Sequence, residues 1–173
     1  MMFAVQLAET ARLDPHVLEL IRKSCGFVPL NVMLLIVRVA VPLFVNVIQH
    51  PLPTGLRCYK LGQAIRRAVE SYPVDVRVAV VGTGGLSHQL NGERFGHLNP
   101  KWDEEWLDRI ETDAESLARL SHREVMEAAG AEGGEVIMWL IMRGALSPSV
   151  RRLHRNYYAP MTTGMALLTL QDA

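Results

Sequence analysis

The sequence predicts an α/β protein with a central, mostly parallel or mixed sheet flanked by helices. Residues 39–47 and 76–81 are β-branched and almost uniformly apolar, which is typical of strands covered on both faces. Apolar residues recur at helical spacing between them, at Leu61, Ile65 and Val69, so the order is strand, helix, strand. Residues 166–170 indicate a last strand. We expect these three strands in one sheet, with the apolar helix at 136–142 packed against it.

Length and composition limit the function classes. The chain has 173 residues, which predicts a single domain over 1–173. Its 18 Lys+Arg balance 18 Asp+Glu, so we expect no nucleic-acid partner. The apolar run 28–49 carries Arg38 and two prolines, which favours a buried core over a membrane span. Two cysteines in unrelated contexts, Cys25 and Cys58, predict a reducing, cytoplasmic location.

Capping residues place the helices. Asp14 and Pro15 open a helix within a divergent N-terminal segment, 1–27. Further along, residues 102–110 form an amphipathic pattern and Asp113 can cap the next helix. Ser121 and Glu124 have the spacing of a capping box. We also expect a helix to begin at Ser147 and Pro148.

His88 is the first candidate for chemistry. It lies in a glycine-rich loop, 82–96, at the carboxyl end of a predicted strand, where open α/β sheets place their ligand crevices. A histidine there can act as acid or base near neutral pH. A phosphate-binding glycine loop, or a turn with a hydrogen-bonded histidine, explains the same residues.

Glu135 is the second candidate. It begins a helix that is otherwise apolar on every side, and a buried carboxylate needs a partner or a cation. A carboxylate with two histidines is the ligand set of non-haem Fe(II) oxygenases, although spacing does not establish that set here. Alternatively, Glu135 caps its helix near solvent.

The stretch from Gly82 to Gln89, Gly-Thr-Gly-Gly-Leu-Ser-His-Gln, resembles the signature loop of class III extradiol ring-cleavage dioxygenases. Within that family it is similar to catalytic (beta) subunits of the protocatechuate 4,5-dioxygenase and gallate dioxygenase type. The likeness spans 28–171 and continues through five further motifs, at residues 46–55, 57–65, 130–135, 139–146 and 157–164. Separated motifs in the same order make the resemblance specific.

The resemblance implies a function and a site. It implies Fe(II)-dependent extradiol cleavage of a catecholic acid such as protocatechuate or gallate by O₂, in aromatic compound catabolism. His88 matches the family's acid/base histidine, Glu135 its carboxylate iron ligand, and Thr162 and Thr163 its substrate contacts. It also implies a small helical partner subunit or a homo-oligomer. A base must reach a hydroxyl of the bound substrate, so we expect His88 and Glu135 on opposite sides of a ligand-sized gap that the threonines also line.

One departure from the family pattern affects the metal. The family takes two histidine ligands from an earlier part of its domain, and neither motif occurs in this sequence. The chain therefore resembles the C-terminal part of the dioxygenase domain, and we expect it to bind Fe(II) weakly on its own. The alternative is a non-catalytic aromatic-acid-binding or assembly subunit of the same family.

Overall fold

The computed structural model describes residues 2–8, 39–47 and 49–173. In chain order the elements are β1 (Met2–Ala8), β2 (Val39–Phe44), α1 (Gly55–Glu70), β3 (Arg77–Val81), α2 (Pro100–Thr112), α3 (Ala114–Ala118), α4 (His122–Ala129), a 3₁₀ helix (Glu132–Met138), α5 (Trp139–Gly144), β4 (Val150–Tyr158) and β5 (Met165–Asp172). The mixture of helices and strands confirms the predicted α/β class.

The described strands form two small sheets. In the first, β1 lies between β2 and β3 and pairs with both in antiparallel orientation. Strands β2 and β3 therefore run in the same direction, as the strand–helix–strand order indicated, but they are not neighbours. In the second sheet, β4 and β5 form an antiparallel pair.

Within the described residues, the sheet differs from the expectation in three respects. Among the described strands, β5 pairs with β4 and not with β2 or β3, and residues of β3 and β5 line a cleft of about 500 Å³. The pairing seen is antiparallel because β1, which the sequence analysis did not identify as a strand, inserts between β2 and β3. Cover on both faces is also absent from the described part of the sheet: Phe44 is 71% exposed and Val81 43% exposed.

The core is built mainly from helices. The 3₁₀ helix and α5 run through its centre, and all their residues from Gly133 to Gly144 are buried. This confirms the prediction of a central apolar helix, although its first half is 3₁₀ rather than α-helical. Helix α5 contacts β3 and packs closely along α1. Gly62 of α1 makes that approach possible, since a Cβ there would lie 2.1 Å from the carbonyl oxygen of Ile141.

Local signals placed most helix ends correctly. Asp113 accepts from the Ser116 amide at the start of α3, and Ser121 with Glu124 forms the predicted capping box of α4. The helix expected at Ser147 is wrong, because that segment leads into β4. Strand β4 forms a hairpin with β5 and also contacts α2, where Arg155 forms an ion pair with Asp108.

Part of the N-terminal prediction lies outside the described residues, including the helix expected at Asp14. None of the helices in the described ranges is long and apolar enough to cross a membrane.

Candidate active site

The loop that carries His88 is held by backbone hydrogen bonds on two sides. On one side it meets the segment before β5, where His88 and Thr163 form an isolated antiparallel bridge. On the other side it meets the turn after α4. The bonds are Leu86 N–H to Gly164 O (2.8 Å), Gly164 N–H to Ser87 O (2.8 Å), His88 N–H to Ala129 O (2.7 Å) and Gly133 N–H to His88 O (3.1 Å). The loop is therefore a fixed part of the fold.

The His88 ring is buried and its tautomer follows from its partner. Only 6% of the residue is exposed, and Nδ1 lies 2.8 Å from the carbonyl oxygen of Leu86. A carbonyl oxygen can only accept, so Nδ1 carries the proton. In the neutral ring, Nε2 then has the free lone pair, which is the arrangement a general base requires.

Glu135 lies in the 3₁₀ helix and is 8% exposed, which excludes the alternative of a solvent-facing helix cap. Its Oε1 accepts a hydrogen bond of 2.6 Å from the Gly85 amide. Burial raises the pKa of the Glu135 carboxyl, while the Gly85 bond and the nearby His88 oppose that rise. Gly84 allows this contact, since its φ of +123° and its approach to Glu135 both disfavour a side chain.

The structure brings His88 and Glu135 together across 47 positions of sequence. Nε2 of His88 lies 3.8 Å from Oε1 of Glu135, too far for a hydrogen bond but close enough for an ion pair if the ring is protonated. The expected ligand-sized gap between the two atoms is wrong, because 3.8 Å is too short for a substrate to lie between them, and a substrate would have to lie beside the pair.

Of the two candidate threonines, Thr163 lies at this cluster. A Cβ on Gly85 would lie 3.0 Å from Cε1 of His88 and 3.1 Å from Cγ2 of Thr163, so these groups surround one small space. Thr162 points toward the other end of the loop, where its methyl group is 4.0 Å from the position of a Cβ on Gly96. The side chains of these two adjacent residues therefore lie near different parts of the loop, whereas the resemblance assigned both to substrate contact.

The described residues do not by themselves fit Fe(II). Glu135 offers one oxygen ligand of the type this ion takes. Within the described ranges, no group of three His, Cys, Asp or Glu side chains could hold a metal ion.

The α/β scaffold holds a buried carboxylate beside a histidine in a glycine-rich loop, and these two groups are of the kind that can exchange protons. Comparison with known proteins identifies the class: residues 25–168 match the family described as the catalytic LigB subunit of aromatic ring-opening dioxygenase. The chain belongs to this family. The matched residues include both His88 and Glu135.

Curated relatives agree with the family match. The chain is 54% identical over 132 residues to gallate dioxygenase of Pseudomonas putida, an alignment that covers 76% of this chain and 39% of the relative. It is 31% identical over 166 residues to a 2,3-dihydroxyphenylpropionate/2,3-dihydroxicinnamic acid 1,2-dioxygenase of Pseudomonas putida, covering 69% of this chain and 52% of the relative. The chain thus spans between about two fifths and one half of the length of these relatives.

Sequence reasoning missed two groups that support the site. Asp103 is fully buried and binds the residue before His88, Ser87. The Trp139 indole donates to the carbonyl oxygen of Gly84 at 3.1 Å. Asp103 lies on the buried face of α2 between apolar residues, and a carboxylate in such a position is the signal that could have identified it.

Proposed function

We propose that the chain acts in Fe(II)-dependent extradiol cleavage of a catecholic aromatic acid, gallate or protocatechuate, by O₂. One observation carries the proposal: the family match spans His88 and Glu135, and their reactive atoms lie 3.8 Å apart in a buried cluster. The identity to a gallate dioxygenase supports gallate as the first substrate to test.

In this proposal the chain's own residues bind and move protons. Nε2 of His88 accepts the proton of a ring hydroxyl, while the Leu86 carbonyl holds Nδ1–H and stabilises the imidazolium that results. Glu135 would supply a carboxylate ligand to the iron, which would act as the Lewis acid when bound. Thr163, and Thr162 from the loop end, would contact the substrate. The other iron ligands would have to come from outside the described residues.

A second candidate function is a non-catalytic aromatic-acid-binding or assembly subunit. The lack of a three-ligand cluster in the described part of the chain favours it. Either function is compatible with a small helical partner subunit or a homo-oligomer. Exposed apolar side chains on the strands, among them Phe44 and Leu167 at 71% and 62% exposure, support such a contact.

The test is an anaerobic titration of the purified chain with Fe(II), followed by gallate or protocatechuate and then O₂. The enzymatic proposal expects O₂ uptake in step with loss of the catechol, dependent on added Fe(II). Saturable binding of the acid without O₂ uptake would favour the second candidate. If the chain shows neither binding nor uptake, both ring cleavage and aromatic-acid binding are contradicted, and only the assembly role is left.

Matched variants separate the site from its surroundings. Glu135→Gln should abolish the Fe(II)-dependent uptake. Glu132→Gln is the control, because Glu132 belongs to the same 3₁₀ helix but bonds to Leu90 and Asn91 instead. Equal loss in both variants would contradict a specific role for Glu135.

A further inference from the structure

We propose that Asp103 is a positioning residue for His88 and acts through the single peptide group that joins Leu86 to Ser87. The inference rests on the proposed function, in that His88 is the acid/base group. It assigns a role to a buried carboxylate that neither the sequence motifs nor the iron chemistry uses.

Asp103 is a buried anion held by hydrogen-bond donors. It lies in the first turn of α2 with no exposed surface. Oδ1 accepts from the Ser87 amide at 2.8 Å, and Oδ2 accepts from the Ser87 hydroxyl at 2.7 Å and from the Tyr157 hydroxyl at 2.8 Å. No ion pair to Asp103 occurs among the residues that the structure describes. A buried carboxylate is costly unless such donors satisfy it, so its position is closely determined.

The same peptide group binds Asp103 at one end and His88 at the other. Its N–H, from Ser87, donates to Asp103, and its carbonyl, from Leu86, accepts from Nδ1 of His88 at 2.8 Å. A peptide group is rigid and planar, so fixing the direction of the N–H also fixes the direction of the carbonyl. The negative charge on Asp103 further polarises this group and makes the carbonyl a stronger acceptor.

Two neighbouring contacts show that the arrangement is built around the carboxylate. The Ser87 hydroxyl, which donates to Asp103, accepts in turn from the Asn99 amide at 2.7 Å. Gly164 packs directly against Asp103, since a Cβ there would lie 2.3 Å from Oδ2. Asp103 therefore positions both the His88 loop and the segment that carries Thr163.

The consequence for the site is the choice of tautomer. With the Leu86 carbonyl held toward Nδ1, the neutral His88 ring keeps its proton there. Nε2 is then left unprotonated on the side that faces Glu135, 3.8 Å away. A purely structural Asp103, which only ties α2 to β4 through Tyr157, would not influence that choice.

The experiment is side-chain ¹⁵N NMR of His88, at a pH where the spectra themselves show a neutral ring. The unaltered protein should show mainly the Nδ1–H tautomer. In Asp103→Ala, the ratio of Nδ1–H to Nε2–H should fall roughly fivefold, the loss expected when one supporting hydrogen bond is removed. If Asp103→Ala does not fold, Asp103→Leu is measured instead, because it fills the space without accepting a hydrogen bond.

Two control variants separate positioning from stability. Asp103→Asn keeps an oxygen for the Ser87 amide but loses the charge, so the tautomer ratio should fall less than in Asp103→Ala. Tyr157→Phe loses only the bond to Oδ2 and should keep the ratio unchanged. An unchanged ratio in a folded Asp103 variant, or an equal fall in Tyr157→Phe, would overturn the proposal. The measurement needs neither iron nor substrate, so a failure of the proposed function would show as absent O₂ uptake with the tautomer effect intact.

Discussion

The crossing of α1 and α5 gives the sharpest stability prediction, because two physical effects oppose each other there. In Gly62→Ala the new Cβ would lie 2.1 Å from the Ile141 carbonyl oxygen, and real Cβ atoms essentially never come closer than 3.0 Å. The two helices must therefore separate by about 0.9 Å at this point. Overpacking costs about 1–3 kcal/mol, and a backbone neighbour places this case at the upper end. The higher helix propensity of alanine offsets about 1 kcal/mol of this overpacking cost. The net expectation is a loss of about 2 kcal/mol in the free energy of unfolding.

The assay is urea unfolding followed by circular dichroism, with Ala68→Gly as the control. Ala68 is exposed on the same helix, so that substitution reports helix propensity alone and should cost about 1 kcal/mol. If Gly62→Ala is as stable as the unaltered protein, or more stable, the reasoning from close helix contact is refuted. Propensity would then be the deciding effect at this position.

Three further predictions concern single groups. Ser121→Ala removes the hydroxyl that accepts from the Glu124 amide and should lower the free energy of unfolding by about 1 kcal/mol, measured by urea unfolding. Burial raises the pKa of Glu135 in the folded state above its value in the unfolded state. The free energy of unfolding therefore falls as the pH rises from the unfolded-state pKa through the folded-state pKa. Glu135→Gln should therefore be more stable than the unaltered protein at pH 7, and unfolding curves should show the difference vanish below the usual pKa of 4.5. Burial also raises the pKa of Cys58 to about 11, so in a Cys25→Ser background a thiol reagent should react with Cys58 only on unfolding.

Helix ends were predictable because their signals are local. Ser121 and Glu124 satisfy each other within one turn, and Asp113 bonds three residues ahead. Strand pairing was not predictable in the same way. The partner of β3 is β1, which is separated from it by most of the N-terminal half of the chain. Residues 150–158 contain charged side chains that suit a helix surface equally well, and only the hairpin with β5 decides their conformation.

The sequence predicted which residues form the candidate site better than it predicted the distances between them. The resemblance named His88 and Glu135, and the fold brings them together. Their separation of 3.8 Å was not predictable, because it depends on the turn after α4 and on the bond from Gly85 to Glu135. Asp103 was missed because it stands beside the exposed carboxylates Glu104 and Glu105 in a run of charged residues. Its helical spacing from Trp106, Leu107 and Ile110, which places it on the buried face of α2, is the feature that sets it apart.

The tethers of the His88 loop bear on how an iron site could be completed. Within the described residues, His88 and Glu135 are held by hydrogen bonds of the protein itself, from the Ala129 carbonyl to the Gly85 amide. Ligands supplied from elsewhere would meet a carboxylate and a base already in place, with little ordering left to oppose binding. Weak Fe(II) binding by the chain would then reflect the number of its ligands, and adding the missing ligands should restore affinity without rearranging the loop.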